Sequence, residues 1–115
     1  MFSDLRAQLE GAGVSVPQKG TLTLYHAGCA AKLRTIETTL EVPGSEEADG
    51  KLRVYVATSP KIAEVIPHAD GVVAIEVDLD LPLELGMGRS QAWVELVYEV
   101  PQGQAGMPVV SASRP

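Results

Sequence analysis

One histidine of this chain stands where it could take part in binding chemistry. His26 ends the run 21–26, in which leucine alternates with threonine and tyrosine, a pattern typical of a β-strand. Ala27 and Gly28 follow it, and such small residues let a ligand approach the backbone closely. An imidazole at this point can titrate or bind a ligand near neutral pH. A structural histidine, or one that faces solvent, is the competing interpretation.

Elsewhere the sequence contains no phosphate-binding glycine loop, nucleophile elbow or zinc helix. Cys29 is the sole cysteine, so an internal disulfide is excluded, and we expect it to be a small buried residue at a helix start. Asp78, Asp80 and Glu84 could bind a hard cation, although a solvated acidic strand end is the simpler interpretation. We therefore expect no structural metal.

Periodicity and turn residues predict the elements that would position His26. The predicted elements are helices over 3–10, 29–40 and 60–66, strands over 21–26, 51–58, 72–79 and 92–100, and exposed loops over 41–50 and 81–90. The tail 102–115 is expected to be loose, with a short edge strand near Met107. Because the last strands lack intervening helices, this order predicts an α+β domain over residues 1–115. We expect a small mixed or antiparallel sheet with short helices packed on it.

Charge and hydropathy exclude some classes of protein. Nine Lys and Arg against 15 Asp and Glu give a formal charge of -6, which opposes binding to phosphate backbones, so nucleic-acid binding is not expected. An acidic surface suits a basic protein partner instead. The amino terminus lacks the apolar stretch of a signal peptide, and no run of 18 apolar residues occurs. We therefore expect a cytoplasmic protein with no membrane segment.

Three segments, taken in order, resemble motifs of the ADP-ribosyltransferase superfamily. They are 24–28 (LYHAG), 53–60 (RVYVATSP) and 71–79 (GVVAIEVDL). In that superfamily the first motif often reads Leu-Tyr-His-Gly-Thr, and the second places Tyr on a strand before a helix that starts with Ser or Asp. The resemblance covers about residues 21–100 and implies a split β-sheet.

The resemblance also implies roles for individual residues. His26 would hold the adenosine-side ribose of NAD, and the backbone of Ala27, next to Gly28, would hold the nicotinamide amide. The residues beside the nicotinamide pocket would be Tyr55, Thr58 and Ser59. An ordinary strand tyrosine and a plain helix cap are the competing interpretations of Tyr55 and Ser59.

Catalytic members of the superfamily place a glutamate near the start of a late strand. Such a group stabilises the oxocarbenium-like transition state as the nicotinamide bond breaks. Here that position falls on Gln91 or Ala92, and Glu95 takes the role only if the register shifts by three or four residues. The segments Ala92-Trp93-Val94 and Val100-Pro101 are also similar to the RNA 2′-phosphotransferases, a branch that lacks this glutamate, but the acidic charge opposes RNA binding.

Two functions follow as expectations. The first is an ADP-ribosyltransferase-like protein that binds NAD or a related nucleotide and transfers ADP-ribose to a protein or nucleic-acid acceptor, as a toxin, effector or phage-borne modifier would. The second is a catalytically inactive relative that acts as an acidic protein-interaction or inhibitor module. An unrelated α+β protein, in which the motifs are ordinary strands, is the third interpretation.

Overall fold

The elements of the fold are taken from a computed structural model. It describes residues 9–10, 20–46, 50–59, 61, 69–78, 81, 83–85, 93–101, 104 and 106–114. The elements are β1 (Thr21–Gly28), α1 (Ala30–Thr39), β2 (Glu41–Val42), β3 (Ser45–Glu46), β4 (Lys51–Ala57), β5 (Gly71–Asp78), β6 (Leu83–Leu85), β7 (Trp93–Glu99), β8 (Met107–Pro108) and β9 (Ser111–Ser113). The helices predicted over 3–10 and 60–66 lie outside the described residues, apart from Leu9, Glu10 and Lys61, which are helical.

An antiparallel sheet forms the body of the protein. Its strand order is β6-β7-β4-β1-β5-β9, and β3 also pairs with β4. A separate two-stranded sheet joins β2 to β8. Every pairing among the described strands is antiparallel. This arrangement, with α1 packed on it, confirms the predicted α+β class.

Alternation along the strands builds the hydrophobic core on one side of the sheet, here called the core face. The buried residues of that face are Leu22 and Leu24 of β1, Leu52, Val54 and Val56 of β4, Val73, Ile75 and Val77 of β5, and Val94, Leu96 and Tyr98 of β7. Leu33 and Ile36 of α1 join the same cluster. Burying an aliphatic side chain of this kind stabilises the fold by about 1.5 to 3 kcal/mol. The other side of the sheet, which carries Tyr55, is called the second face.

A pair of glycines sets the approach of α1 to the sheet. Gly28 of β1 lies opposite Gly71 of β5 in the register. A Cβ at Gly71 would lie 3.3 Å from Leu33 Cδ1, and one at Gly28 would lie 3.8 Å from Leu33 Cδ2. Because neither glycine has a side chain, the first turn of the helix can pack closely on these two strands.

Strands β1 and β4 are neighbours in the sheet but share little backbone pairing, and the gap beyond that pairing is here called the split. Among the described residues the register between these strands consists of one pair, Tyr25 with Ala57. Strand β3 pairs with β4 at Leu52 and Arg53. Since the full length of β4 pairs with β7 on its other edge, β1 and β3 must share the remaining edge. Strands β1 and β4 therefore meet at one end and separate toward Gly28.

Several predictions of irregular structure need correction. The predicted loop 41–50 contains β2 and β3, and the loop 81–90 contains β6. The tail 102–115 is not loose where it is described, because β8 pairs with β2 and β9 forms the edge of the large sheet beside β5. The physical reason is burial, since Val42, Leu83 and Met107 all place their side chains in the core.

Gly44 provides a test of the close packing at the split. A Cβ at this position would overlap the backbone carbonyl oxygen of Arg53, which cannot move without shifting β4. We expect Gly44→Ala to lower the free energy of unfolding in urea by about 1 to 3 kcal/mol. Gly28→Ala is the matched control, since the nearest atom to its Cβ would be the flexible Cδ of Lys32, at 3.2 Å, and we expect a change below about 1 kcal/mol. Equal stability of Gly44→Ala and the unmodified protein would contradict this packing.

Candidate functional site

His26 lies on the core face of β1, beside the split. It follows Leu22 and Leu24 at intervals of two, and it pairs in register with the core residue Val73 of β5. Only 5% of the residue is exposed. The sequence allowed for a structural, solvent-facing or ligand-binding histidine, and the burial excludes the solvent-facing one.

The imidazole bridges the two strands where they begin to separate. Its Nδ1 lies 2.9 Å from the backbone carbonyl oxygen of Tyr55 in β4. A carbonyl oxygen only accepts hydrogen bonds, so Nδ1 carries the hydrogen and donates it. In the neutral ring Nε2 is then an acceptor. This atom is buried and has no hydrogen-bond partner within the part of the chain that the structure describes.

Burial keeps the ring neutral. The pKa of His26 is lowered from 6.5 to about 4, first by desolvation and second by the positive charge of Lys32. The hydrogen bond to Tyr55 opposes both effects by raising the pKa, but it is the weakest of the three. At pH 7 the group is therefore an uncharged imidazole with a free lone pair on Nε2.

The start of α1 forms the neighbouring wall of the site. Cys29 occupies the N-cap position but makes no side-chain cap. The carboxylate of Asp70 replaces that cap, because its Oδ2 accepts a hydrogen bond from the Ala30 N–H at 2.9 Å. The N–H of Asp70 donates to the carbonyl oxygen of Gly28, also at 2.9 Å. Asp70 thus fixes the turn between β1 and α1. This turn begins at Gly28, two residues after His26.

Tyr55 and Glu95 lie on the second face of the sheet, away from the imidazole. They are directly opposite each other in the register of β4 and β7. Tyr55 is 46% exposed, whereas Glu95 is 6% exposed and lies 4.0 Å from Arg53, measured between Glu95 Oε1 and Arg53 Nε. The structure therefore brings Tyr55 and Glu95 together, and brings His26 to the backbone of Tyr55 but not to its ring.

The other predicted site residues are divided between the two sides of the Tyr25–Ala57 pair. Ala27 and Gly28 follow His26 along β1, with Gly28 facing the start of α1. Thr58 and Ser59 follow the end of β4, which places them beyond that pair, alongside the earlier part of β1. Gln91 lies outside the described residues.

Two further expectations concern the burial of Cys29 and the presence of membrane-spanning helices. Cys29 is exposed, which corrects the prediction of a buried thiol, because the N-cap position leaves its side chain outside the helix contact with the sheet. Over the ranges described above, no helix is long and apolar enough to cross a membrane.

Sequence reasoning missed Lys32, Asp70 and Arg53 as parts of the site. Arg53 stands in the second motif segment, and its position two residues before Tyr55 places it on the same face as Glu95 once β4 and β7 pair. The sequence pattern indicated only that Asp70 lies in a turn. Lys32 had no local signal, because its relation to His26 depends on how α1 packs across the two glycines.

The buried imidazole predicts a dependence of stability on pH. The unfolded chain takes up the histidine proton near pH 6.5, whereas the folded protein resists it until about pH 4, so the stabilisation present above pH 6.5 is lost as the pH falls toward 4. We expect this loss to reach about 3 kcal/mol in the unmodified protein and to be absent in His26→Gln, whose amide does not titrate. Urea unfolding of both proteins at pH 7, 5.5 and 4 measures how the free energy of unfolding of each depends on pH. Contributions from His68 and the carboxylates are common to both proteins and cancel in the comparison. Parallel pH profiles would show that the ring is not held neutral.

Comparisons with known proteins were made at the level of family, sequence and structure. No family model, no curated protein and no solved structure matches this chain. Its function must therefore be argued from the motif residues and from the geometry around His26.

Proposed function

We propose that this chain is an ADP-ribosyltransferase-like protein that binds NAD or a related nucleotide where β1 and β4 separate. The observation that carries the proposal is the buried Nε2 of His26. It is the acceptor atom of a neutral ring, and no group in the described structure donates to it. Leaving a buried polar atom unsatisfied costs about 1 to 3 kcal/mol, and a ligand that supplies the donor removes that cost.

The chemistry of Nε2 selects the kind of group that it binds. An acceptor in an uncharged ring needs a hydroxyl or N–H donor, and a fully ionised phosphate or carboxylate cannot supply one. A ribose hydroxyl is such a donor. This agrees with the role that the motif resemblance gives to His26, on the adenosine-side ribose of NAD.

The arrangement of the strands also supports the proposal. The first and second motif segments lie on β1 and β4, and β7, which carries Glu95, is the next neighbour of β4. The single pair between Tyr25 and Ala57 gives the split that the resemblance implies. Separated strands leave the backbone of Ala27 without the regular pairing to β4, and backbone groups of this kind can bind an amide.

Transfer of ADP-ribose is a separate question from binding. Glu95 is buried beside Arg53 and lies on the face opposite His26, so it does not point to the atom that would hold the ribose. This arrangement favours a second candidate function, that of a relative that has lost catalysis and acts as an acidic interaction or inhibitor module. The formal charge of -6 supports a basic protein partner for such a module.

Binding of NAD tests the proposal directly. We expect NAD to raise the melting temperature of the unmodified protein, because a ligand that binds only the native state stabilises it. His26→Ala should weaken NAD binding by about tenfold or more, as one buried hydrogen bond is lost, and titration calorimetry measures it. Thr38→Ala, on the exposed side of α1, is the control and should bind normally. Failure of the unmodified, folded protein to bind NAD or ADP-ribose would end the proposal.

Release of nicotinamide separates the two candidate functions. If Glu95 is catalytic despite its position, Glu95→Gln should lower the rate of nicotinamide release by about a hundredfold or more and leave NAD affinity nearly unchanged. If the protein is an inactive relative, it should bind NAD without releasing nicotinamide. Release that continues unchanged in Glu95→Gln would exclude Glu95 from catalysis and direct attention to Gln91.

A further inference from the structure

We infer that Lys32 makes this site selective for a phosphorylated ligand, by pairing its ammonium group with a phosphate of the molecule whose hydroxyl binds His26. The inference rests on the proposed function, since it concerns the same ligand. It adds a specificity residue that the motif resemblance does not contain. The ligand class is a nucleotide rather than a nucleoside.

The position of Lys32 carries the first step. It lies in the first turn of α1, half-buried, with its stem over Gly28 of β1. Its Cδ lies 3.2 Å from the point where a Cβ of Gly28 would stand. A larger residue at position 28 would push the stem away. The glycine therefore lets Lys32 lie close to the end of β1, which is only two residues after His26.

The electrostatic relation to the imidazole is the second step. The positive charge of Lys32 is the second-largest cause of the lowered pKa of His26, after desolvation. The stem of Lys32 also lies over Gly28, which shares the core face of β1 with His26, so the charged side chain and the imidazole lie on the same side of the sheet. A ribose hydroxyl with a phosphate on the same sugar presents a hydrogen-bond donor and an anion, which are the chemical complements of these two groups.

The third step is that Lys32 has no partner of its own. Over the ranges that the structure describes, it makes neither an ion pair nor a hydrogen bond, whereas Lys51 pairs with Glu84 and Arg114 pairs with Glu37. A half-buried lysine on the same face as a buried acceptor leaves two groups without a partner in the described part of the chain. A single phosphorylated sugar satisfies both.

The helix start contributes to the same potential. The N–H groups of Ala31 and Lys32 precede the first hydrogen bond of α1, from the Leu33 N–H to the Cys29 carbonyl oxygen, so neither has a partner within the helix. The negative charge of Asp70 repels an anion here, although its carboxylate already accepts a hydrogen bond from the Ala30 N–H. The charge of Lys32 is therefore needed for phosphate to bind.

The test uses two ligands that differ only in phosphate, adenosine monophosphate and adenosine. The variants are Lys32→Met, which keeps the apolar stem over Gly28, and Lys32→Arg, which keeps the charge. We expect Lys32→Met to weaken binding of the monophosphate by about tenfold and to leave adenosine unchanged, while Lys32→Arg stays within about threefold of the unmodified protein for both. The salt dependence of monophosphate binding should also be smaller in Lys32→Met.

Each outcome points to a different conclusion. If the unmodified protein binds neither these ligands nor NAD, the proposed function fails. If it binds them and Lys32→Met affects neither, or weakens both equally, the proposed function stands and the role of Lys32 is wrong. An NMR titration of the His26 ring checks the geometry without any ligand, because removal of the nearby charge should raise its pKa in Lys32→Met and not in Lys32→Arg. No rise in Lys32→Met would also overturn the inference.

Discussion

The hydrogen bond from His26 Nδ1 to the carbonyl oxygen of Tyr55 is the interaction on which the site depends. It stands at the point where backbone pairing between β1 and β4 stops, so a side chain holds the two strands together there. By fixing the hydrogen on Nδ1, it leaves Nε2 as an acceptor. Burial then keeps that acceptor neutral, and among the described residues none donates a hydrogen bond to it. One contact thus sets both the position of the imidazole at the split and its hydrogen-bonding chemistry.

Strand alternation divides the candidate residues between two faces. Side chains two apart share a face, so His26 points with Leu24 toward the core, whereas Tyr55 and Glu95 point to the other side. A sheet with this register can offer a ribose hydroxyl an acceptor on one face and hold a carboxylate against Arg53 on the other. The proposed binding and the proposed transfer therefore depend on different faces of the sheet, and the geometry supports the proposal of binding more directly.

The parts of the fold that could be predicted are those with a local pattern. Strands β1, β4, β5 and β7 and helix α1 all bury side chains at a regular spacing, and each was predicted within about two residues. Strand β2 was not, because it exists only through its pairing with β8, some 65 residues later in the chain, where the sequence predicts a short edge strand near Met107 but not its partner. Likewise β9 forms because Ala112 packs beside Ile75 at the sheet edge, and no property of the tail by itself indicates that partner.

The sequence by itself determined the order of the elements, the acidic charge and the direction of each side chain along its strand. Alternation is a local property, so the placement of His26 on the same face as Leu22 and Leu24 was already determined by their spacing. Only the tertiary structure decided what each side chain meets. The carbonyl of Tyr55, the carboxylate of Asp70 and the ammonium of Lys32 reach the end of β1 from three different elements. Their meeting depends on how those elements pack, which no short segment of the chain specifies.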